Sequence, residues 1–264
     1  MREASSVSGV GTERFPWAVR EAWEDSFLAR LPDPAARLLL DDARLTRLAA
    51  GEIFYRGAHH EETVTLALVV DGLLRSYVNG RDRQVTVRYA SSGAVVGLEE
   101  MLLGGTGELG RRSSERWRML GGAAHDGEAL RDSLVLKIRP ARLRAAMEHD
   151  VAVTREVTVH LATRLAETHR SLAADLFLPV SGRVAHHLLN LAEWDGCAMV
   201  VRKSHHHIAG AVGSVREVVS RALKRMEHDG LVDRVGGPAG PLRLVDPAAL
   251  HRLAAGGAGD ELAA

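Results

Sequence analysis

Among its 264 residues the chain has a single cysteine, Cys197, which excludes an intrachain disulfide framework and a four-thiolate iron–sulfur cluster held by one chain. A small buried hydrophobe is the role expected for it. No run approaches the eighteen or more apolar residues of a membrane span, and the opening MREASSVSGVGTERF lacks the apolar core of a signal peptide. A cytoplasmic protein without a membrane partner is therefore expected. An excess of one charge is also missing. The 34 basic and 34 acidic residues cancel, so attraction for a polyanion must come from local placement. Neither a Walker-type phosphate loop nor a Gly-x-Ser-x-Gly elbow occurs. No constellation for catalysis remains, and a non-enzyme is expected.

What is present is clearest between Ser204 and Val232, SHHHIAGAVGSVREVVSRALKRMEHDGLV. Ser204 is a helix-capping residue, Ile208, Ala209 and Val212 follow at helical spacing, and Gly213 suits a tight turn. A second helix starts near Val215, with Val215, Val219, Ala222, Leu223 and Met226 forming one apolar face. Arg216, Glu217, Ser220, Arg221 and Lys224 fall on the other. Arg can donate two bonds to guanine and Glu can accept from cytosine, so these are residue types that read base edges in a major groove. An ordinary helical hairpin with a solvated polar face is the plainer alternative. The sequence that follows weighs against it: Leu231 to Val235 and Leu242 to Val245 read as short strands around a Gly- and Pro-rich loop, a wing. Met199 to Lys203 adds a further β segment in front. From Val200 to Arg234 there are seven Lys or Arg against four Asp or Glu, a modest excess that suits phosphate contact.

Upstream, the spacing predicts a polar, aperiodic arm over about the first 20 residues and a helix over Pro34 to Leu48. Between Gly51 and Ile138 the period becomes two: Val64, Leu66, Leu68 and Val70 alternate, as do Val85, Val87 and Tyr89, then Leu134, Leu136 and Ile138. Glycines at 51, 57, 72, 80, 93 and 97 punctuate it at turn spacing, which favours an antiparallel roll or barrel. Residues 104 to 127 lack periodicity, and a long mobile loop is expected there. Pro140 is placed to open a helix, and no other Pro or Gly occurs before Pro179, so about 38 residues could form one rod of roughly 55 Å. Met147, Val151, Val157, Leu161, Leu165, Leu172 and Leu176 make its apolar stripe, interrupted by Thr154, Thr158 and Thr168. The stripe could pack only on its own β domain. A dimer seam is preferred, because so long a rod would otherwise leave much apolar surface wet.

A β-roll, a long central helix and a winged helix together resemble the Crp/Fnr family of bacterial transcription factors over about residues 26 to 254. The resemblance is carried by Phe177-Leu178-Pro179-Val180-Ser181-Gly182-Arg183-Val184-Ala185, by Leu188 to Ala192, and by Gly213-Ser214-Val215-Arg216-Glu217-Val218-Val219-Ser220-Arg221. Gly51-Glu52, Asp71-Gly72-Leu73 and the run from Gly97 to Gly105 match more loosely. The resemblance implies an α+β protein: a loose arm over 1–25, a cyclic-nucleotide-binding-like roll over 26–139, a dimerisation helix over 140–178, a winged helix over 179–255 and a tail over 256–264. It implies a homodimeric regulator on a palindromic site in double-stranded DNA, with RNA polymerase a further partner. Arg216, Glu217 and Arg221 would contact bases. Ser204, His206, Ser214, Ser220 and Lys224 would contact the DNA backbone.

Departures from the family pattern stand in two places. His207 occupies the position where a Glu would complete the capping box begun by Ser204. In the effector region, Gly97 is followed by Leu98, with Glu99 and Glu100 displaced, and Ala123-Ala124-His125 stands where an Arg-Ser-Ala phosphate clasp would lie. A buried phosphate without its Arg would be poorly compensated, which argues against ordinary cyclic AMP. Arg164 and Thr168 still match positions that touch nucleotide, and Arg111 or Arg112 could reach in from the inserted loop. The candidate effector pocket is Gly97, Glu99, Arg164, Thr168 and His169.

The thirteen histidines invite metal or haem. His205, His206 and His207 project about 100° apart and do not converge on one ion, so exposure beside a DNA backbone accounts for them. His59 and His60, with Glu61 and Glu62, suit a solvated turn. An axial-ligand role for His160 or His169 has no diagnostic spacing behind it. Two other function classes stay open: a haem or nucleotide sensor whose winged helix serves protein interaction, and a cupin-type enzyme, which lacks its metal motif.

Overall fold

A computed structural model describes residues 11–56, 66–79, 84–104, 125–237 and 240–256. Residues 1–10 of the expected arm, the His59–Glu62 turn, most of the inserted loop (105–124, with Arg111, Arg112 and Ala123) and the end of the tail (257–264) lie outside them. The chain divides into two compact units: Met1–Asn79 with Arg88–Leu165, and Gly80–Val87 with Ala166–Ala264.

In the first unit the expected loose arm is partly structured. Helix α1 (Trp17–Glu24) buries Val19, Ala22 and Trp23, because three apolar residues at steps of three and one share its inner face. Ser26 caps the short 3-10 turn that follows, accepting from the Leu28 amide at 3.1 Å and donating to the Trp23 carbonyl at 2.7 Å. Helix α2 (Asp33–Leu40) is shorter than the helix expected to reach Leu48. The chain leaves it at Asp41, and β1 (Arg44–Leu48) pairs antiparallel with β8 (Ser133–Ile138), Leu45 opposite Leu136. Between them, Asp42 is gripped by Arg139 and Arg142, whose hydrogen bonds hold its carboxyl below the usual range. Sheet pairing and this ion pair override the helical spacing of the apolar residues.

The roll consists of two four-stranded sheets. After β2 (Ile53–Arg56), β3 (Leu66–Asp71) and β4 (Leu74–Asn79) come β5 (Gln84–Ala90), β6 (Val95–Val96), helix α3 (Leu98–Gly104), β7 (His125–Ala129) and β8. The sheets run β1-β8-β3-β6 and β2-β7-β4-β5. Strand β3 is buried from Leu66 to Val70 on both faces. Leu66, Leu68 and Val70 join α1, α2 and Leu136 in one core, while Ala67 and Val69 join Phe54, Tyr55, Leu74 and Val135 in another. Period-two alternation thus divides one strand between two cores. Arg75 of β4 is buried opposite Glu128 of β7, 2.7 Å away, so neither charge is stranded.

The long rod is broken. Helix α4 (Pro140–His149) ends at Asp150, whose backbone is extended and whose carboxylate accepts from the Ala152 amide at 2.8 Å, starting α5 (Val151–Phe177). An Asp can cap as well as continue a helix, and reading only for Pro and Gly overlooked it. The 27 residues of α5 span roughly 40 Å. Its first half is anchored in the roll: Val153 and Val157 are buried, Glu156 pairs with Arg30 at 2.8 Å, and the His160 ring stacks on Phe27. That stacking gives His160 a packing role in the roll.

The second unit contains α6 (Val180–Leu191), β9 (Glu193–Trp194), β10 (Met199–Val201), α7 (His205–Val212), α8 (Arg216–His228), β11 (Val232–Arg234), β12 (Leu242–Leu244) and α9 (Pro247–Ala254). Its sheet runs β11-β12-β10-β9, so the expected wing and the strand before it are one sheet. Gly182 lets α6 approach α9: a Cβ there would lie 3.0 Å from the Leu253 carbonyl oxygen. Cys197 is exposed, contrary to the buried role expected of it, because it sits in the turn between β9 and β10 where Asp195 accepts from its amide. Among the described residues no helix is long and apolar enough to cross a membrane, and no group of three His, Cys, Asp or Glu side chains could hold a metal ion.

His187 of α6 is buried, and desolvation, with His186 and Arg183 nearby, pushes its imidazole down to about 3. Above the ordinary value it is neutral folded and unfolded. Below it the unfolded chain gains a proton that the folded chain refuses. Denaturant titrations should therefore show stability falling between about pH 6.5 and pH 3, by up to ~1.4 kcal/mol per pH unit from this group, and His187→Gln should flatten that slope.

Candidate nucleic-acid interface and effector region

The interface is built from two helices and a glycine. Ser204 accepts from the His207 amide at 3.3 Å, so the cap of α7 forms at a long distance, in line with the incomplete capping box. Gly213 ends α7 in the left-handed region at φ 67°, and the Ser214 amide returns to the Ala209 carbonyl at 3.0 Å. Val215 is the N-cap of α8 and has no side chain to satisfy the first amides. These N–H groups face solvent at the positive end of the helix dipole, where an anion is favoured.

Val219, Leu223 and Met226 of α8 are buried, as are Ile208, Ala209 and Val212 of α7. Burial of that face leaves Arg216, Glu217, Arg221 and Lys224 exposed on the other. Among the described residues these four make no hydrogen bond or ion pair, whereas neighbouring cations do: Arg202 with Glu193, Arg225 with Asp229, Arg234 with Glu227 and Arg243 with Asp233. The expected apolar face differs at its start. Val215 is 61% exposed, because an N-cap projects away from the helix it opens.

The expected backbone contacts divide. Ser204 is exposed and Ser214 half-buried, and the side chain of His206 lies outside the described structure. Ser220 is not freely presented: its Oγ lies 2.9 Å from Nδ1 of His205. His205 is half-buried, not solvated as expected, with Nε2 2.6 Å from Arg234.

In the roll, buried Gly97 adopts φ 80° and turns the chain from β6 into α3. The first turn of α3 carries Glu99 and Glu100. Glu99 Oε1 lies 3.2 Å from a terminal nitrogen of Arg164, so two of the expected pocket residues meet, next to Gly97 in the chain. Glu100 is largely buried, its Oε2 has no partner among the described residues, and desolvation, reinforced by Glu99 and opposed by its own amide and Arg88, pushes its carboxyl up to about 7. The Tyr55 hydroxyl, 3.0 Å from Ser76 Oγ, is also raised, by burial and by Glu100. Thr168 and His169 are exposed further along α5 and belong to the second unit. The region is rich in carboxyl groups, and its arginine already has an anionic partner.

Residues 182–253 match the Crp-like helix-turn-helix domain family. The chain is 28% identical over 205 residues to the cAMP-activated global transcriptional regulator Vfr of Pseudomonas aeruginosa, covering 74% of this chain and 87% of that protein. It is 31% identical over 109 residues to the cAMP-activated global transcriptional regulator CRP of Pasteurella multocida, spanning 39% of this chain and about half (51%) of the relative. A solved Crp/Fnr-family transcriptional regulator from Thermus thermophilus has the same fold, with a TM-score of 0.60 at 22% identity over 80% of this chain and 98% of that one. The C-terminal stretch thus matches the Crp-like helix-turn-helix family, and the fold is the one seen in solved Crp/Fnr-family regulators.

The sequence marked the exposed face of α8 by residue type, and of the effector region it named Gly97, Glu99 and Arg164 but not the ion pair between the last two. It missed Glu100, Tyr55 and Ser76, which meet across α3, β2 and β4. Tyr55 and Ser76 are far apart in the chain, and no local pattern marks them as neighbours. It also missed Arg234, whose partner His205 precedes it by 29 residues.

Because the folded chain raises the Glu100 carboxyl above its ordinary value, the stability associated with its protonated form is present at low pH and lost as pH rises to about 7. Glu100→Gln should thus stabilise the roll at about pH 8 and change little at about pH 4, with a wild-type difference of up to ~1.4 kcal/mol per pH unit between. Denaturant titration of both proteins at the two pH values checks this.

Proposed function

We propose that this regulator binds DNA sequence-specifically as a homodimer on a two-fold symmetric site, with Arg216, Glu217 and Arg221 meeting base edges. The observation that carries this is the exposed set Arg216, Glu217, Arg221 and Lys224 on the outer face of α8, unpaired among the described residues and beside cations that are neutralised. An exposed arginine without a carboxylate partner keeps all its donors for phosphate or guanine. Lys224 and the hydroxyls of Ser204, Ser214 and Ser220 would meet the sugar–phosphate backbone, as would His206.

Dimerisation is proposed through α5. Val157 is covered by the roll, but Leu165, Leu172 and Leu176, at steps of seven and four, are 56%, 54% and 68% exposed. Three leucines at a/d spacing on one helix suit a second copy of the same helix. Two recognition helices would then enter major grooves about 34 Å apart.

The effector is proposed to be other than classical cyclic AMP, since the carboxyl groups of Glu99 and Glu100 oppose a phosphate and Arg164 is paired with Glu99. An acidic site disfavours an anion unless another cation enters it.

Selection from random duplexes at stated salt should enrich a palindrome, and failure to do so would favour a winged helix that serves protein interaction. On the enriched site, Arg216→Ala or Arg221→Ala should cost roughly 1 to 3 kcal/mol, with little loss on random DNA. Equal losses on both would sink the base-reading role. Sedimentation equilibrium should give a dimer for the native chain and a monomer for Leu172→Glu, and an unchanged mass would place the seam elsewhere.

A further inference from the structure

A chain of polar contacts crosses the helix-turn-helix from the wing strand to the reading helix. Arg234 of β11 approaches His205 Nε2 at 2.6 Å, and His205 Nδ1 lies 2.9 Å from Ser220 Oγ on α8. The Arg234 Nε also lies 2.7 Å from Glu227 Oε1 near the end of α8. A guanidinium has only donors, so Nε2 must accept. The imidazole is then neutral with its proton on Nδ1, donating to Ser220. That fixes the serine too: its oxygen is occupied by the incoming proton, and its own hydroxyl hydrogen must point elsewhere. Among the described residues Ser220 has no other hydrogen-bond partner, and it shares the outer face of α8 with Arg216, Glu217 and Arg221.

We propose that His205 is a positioning residue for DNA reading: oriented by Arg234, it makes Ser220 an outward hydrogen-bond donor and ties the wing strand to the reading helix. The proposal rests on the DNA-binding function above. Protonation of His205 removes the acceptor that Arg234 uses and sets two cations side by side, so the joint opens. The charged groups facing His205 are Arg234 from the wing strand and Glu227 and Arg216 from α8, with His206 and His207 beside it on its own helix. Burial and Arg234 hold its proton affinity down, Glu227 opposes them and Arg216 adds to them. Site-specific binding should therefore weaken on acidification. Histidines that merely face phosphate would do the opposite, since added positive charge strengthens contact with the backbone.

Two measurements on the full chain test this. Ring nitrogen NMR shifts, with the His205 signals assigned by their loss in His205→Gln, should show the Nδ1–H tautomer near pH 8 and titration below the ordinary imidazole value of about 6.5. An Nε2–H tautomer or an ordinary titration overturns the arrangement. Binding to the selected duplex and to random duplex, at constant salt, should show the specific-to-random ratio falling about tenfold between about pH 8 and a pH below the His205 midpoint that the NMR titration gives, the worth of one charge-assisted hydrogen bond. His205→Gln, whose amide offers an acceptor and a donor at either pH, should keep one ratio at both. His205→Ala should lower it at both. A native ratio that does not move, or that moves equally in His205→Gln, sinks this role while leaving DNA reading intact. Absence of any specific binding near pH 8 instead defeats the DNA-binding function, and this proposal with it.

Discussion

Val219, Leu223 and Met226 line the inner face of the Arg216–His228 helix, which contacts the helix bearing Ile208, Ala209 and Val212. Each such side chain gains about 1.5 to 3 kcal/mol by leaving water, and turning the helix about its axis would forfeit that gain. The rotation of the reading helix is fixed by its apolar side, and the direction of its arginines follows from it. Gly213 contributes the remaining constraint, since a left-handed residue between the helices sets their crossing. The functional face needs little stabilisation of its own and can leave its charges unpaired.

The roll works by a similar division. Strand Leu66–Asp71 sends alternate residues into two cores, so it holds the helices of the N-terminal segment on one side and the second sheet on the other. The ends of neighbouring strands and the first turn of Leu98–Gly104 then bring Glu99, Glu100, Tyr55 and Ser76 near one another. Burial holds the Glu100 carboxyl up to about 7, while the neighbouring Glu99 carries the pairing with Arg164.

Much of this was legible before any coordinates. Helix periodicity, the Gly213 turn and the short strands after Gly230 are local signals, and the residues that carry them fold as their spacing dictates. Period-two alternation likewise marked the roll. Three features were not legible. Arg44–Leu48 has helical spacing but becomes a strand, because its partner Ser133–Ile138 lies some ninety residues away and supplies the hydrogen bonds. Asp150 breaks the long helix through a side-chain cap, which an eye trained on proline and glycine does not notice. The His205–Arg234 contact joins a helix start to a strand, and nothing in either local sequence announces it.

Gly182 shows how far from the exposed face of Arg216–His228 the module's limits are set. A Cβ on Gly182 would come within 3.0 Å of the Leu253 carbonyl oxygen, so the first helix of the unit and its last are fitted together by the absence of a side chain. The smallest portion able to fold by itself must therefore extend through Pro247–Ala254, well past the wing. A fragment trimmed to the recognisable helix-turn-helix and its two strands would keep Arg216, Glu217 and Arg221, yet expose the side of Val180–Leu191 that Leu250 and its neighbours cover.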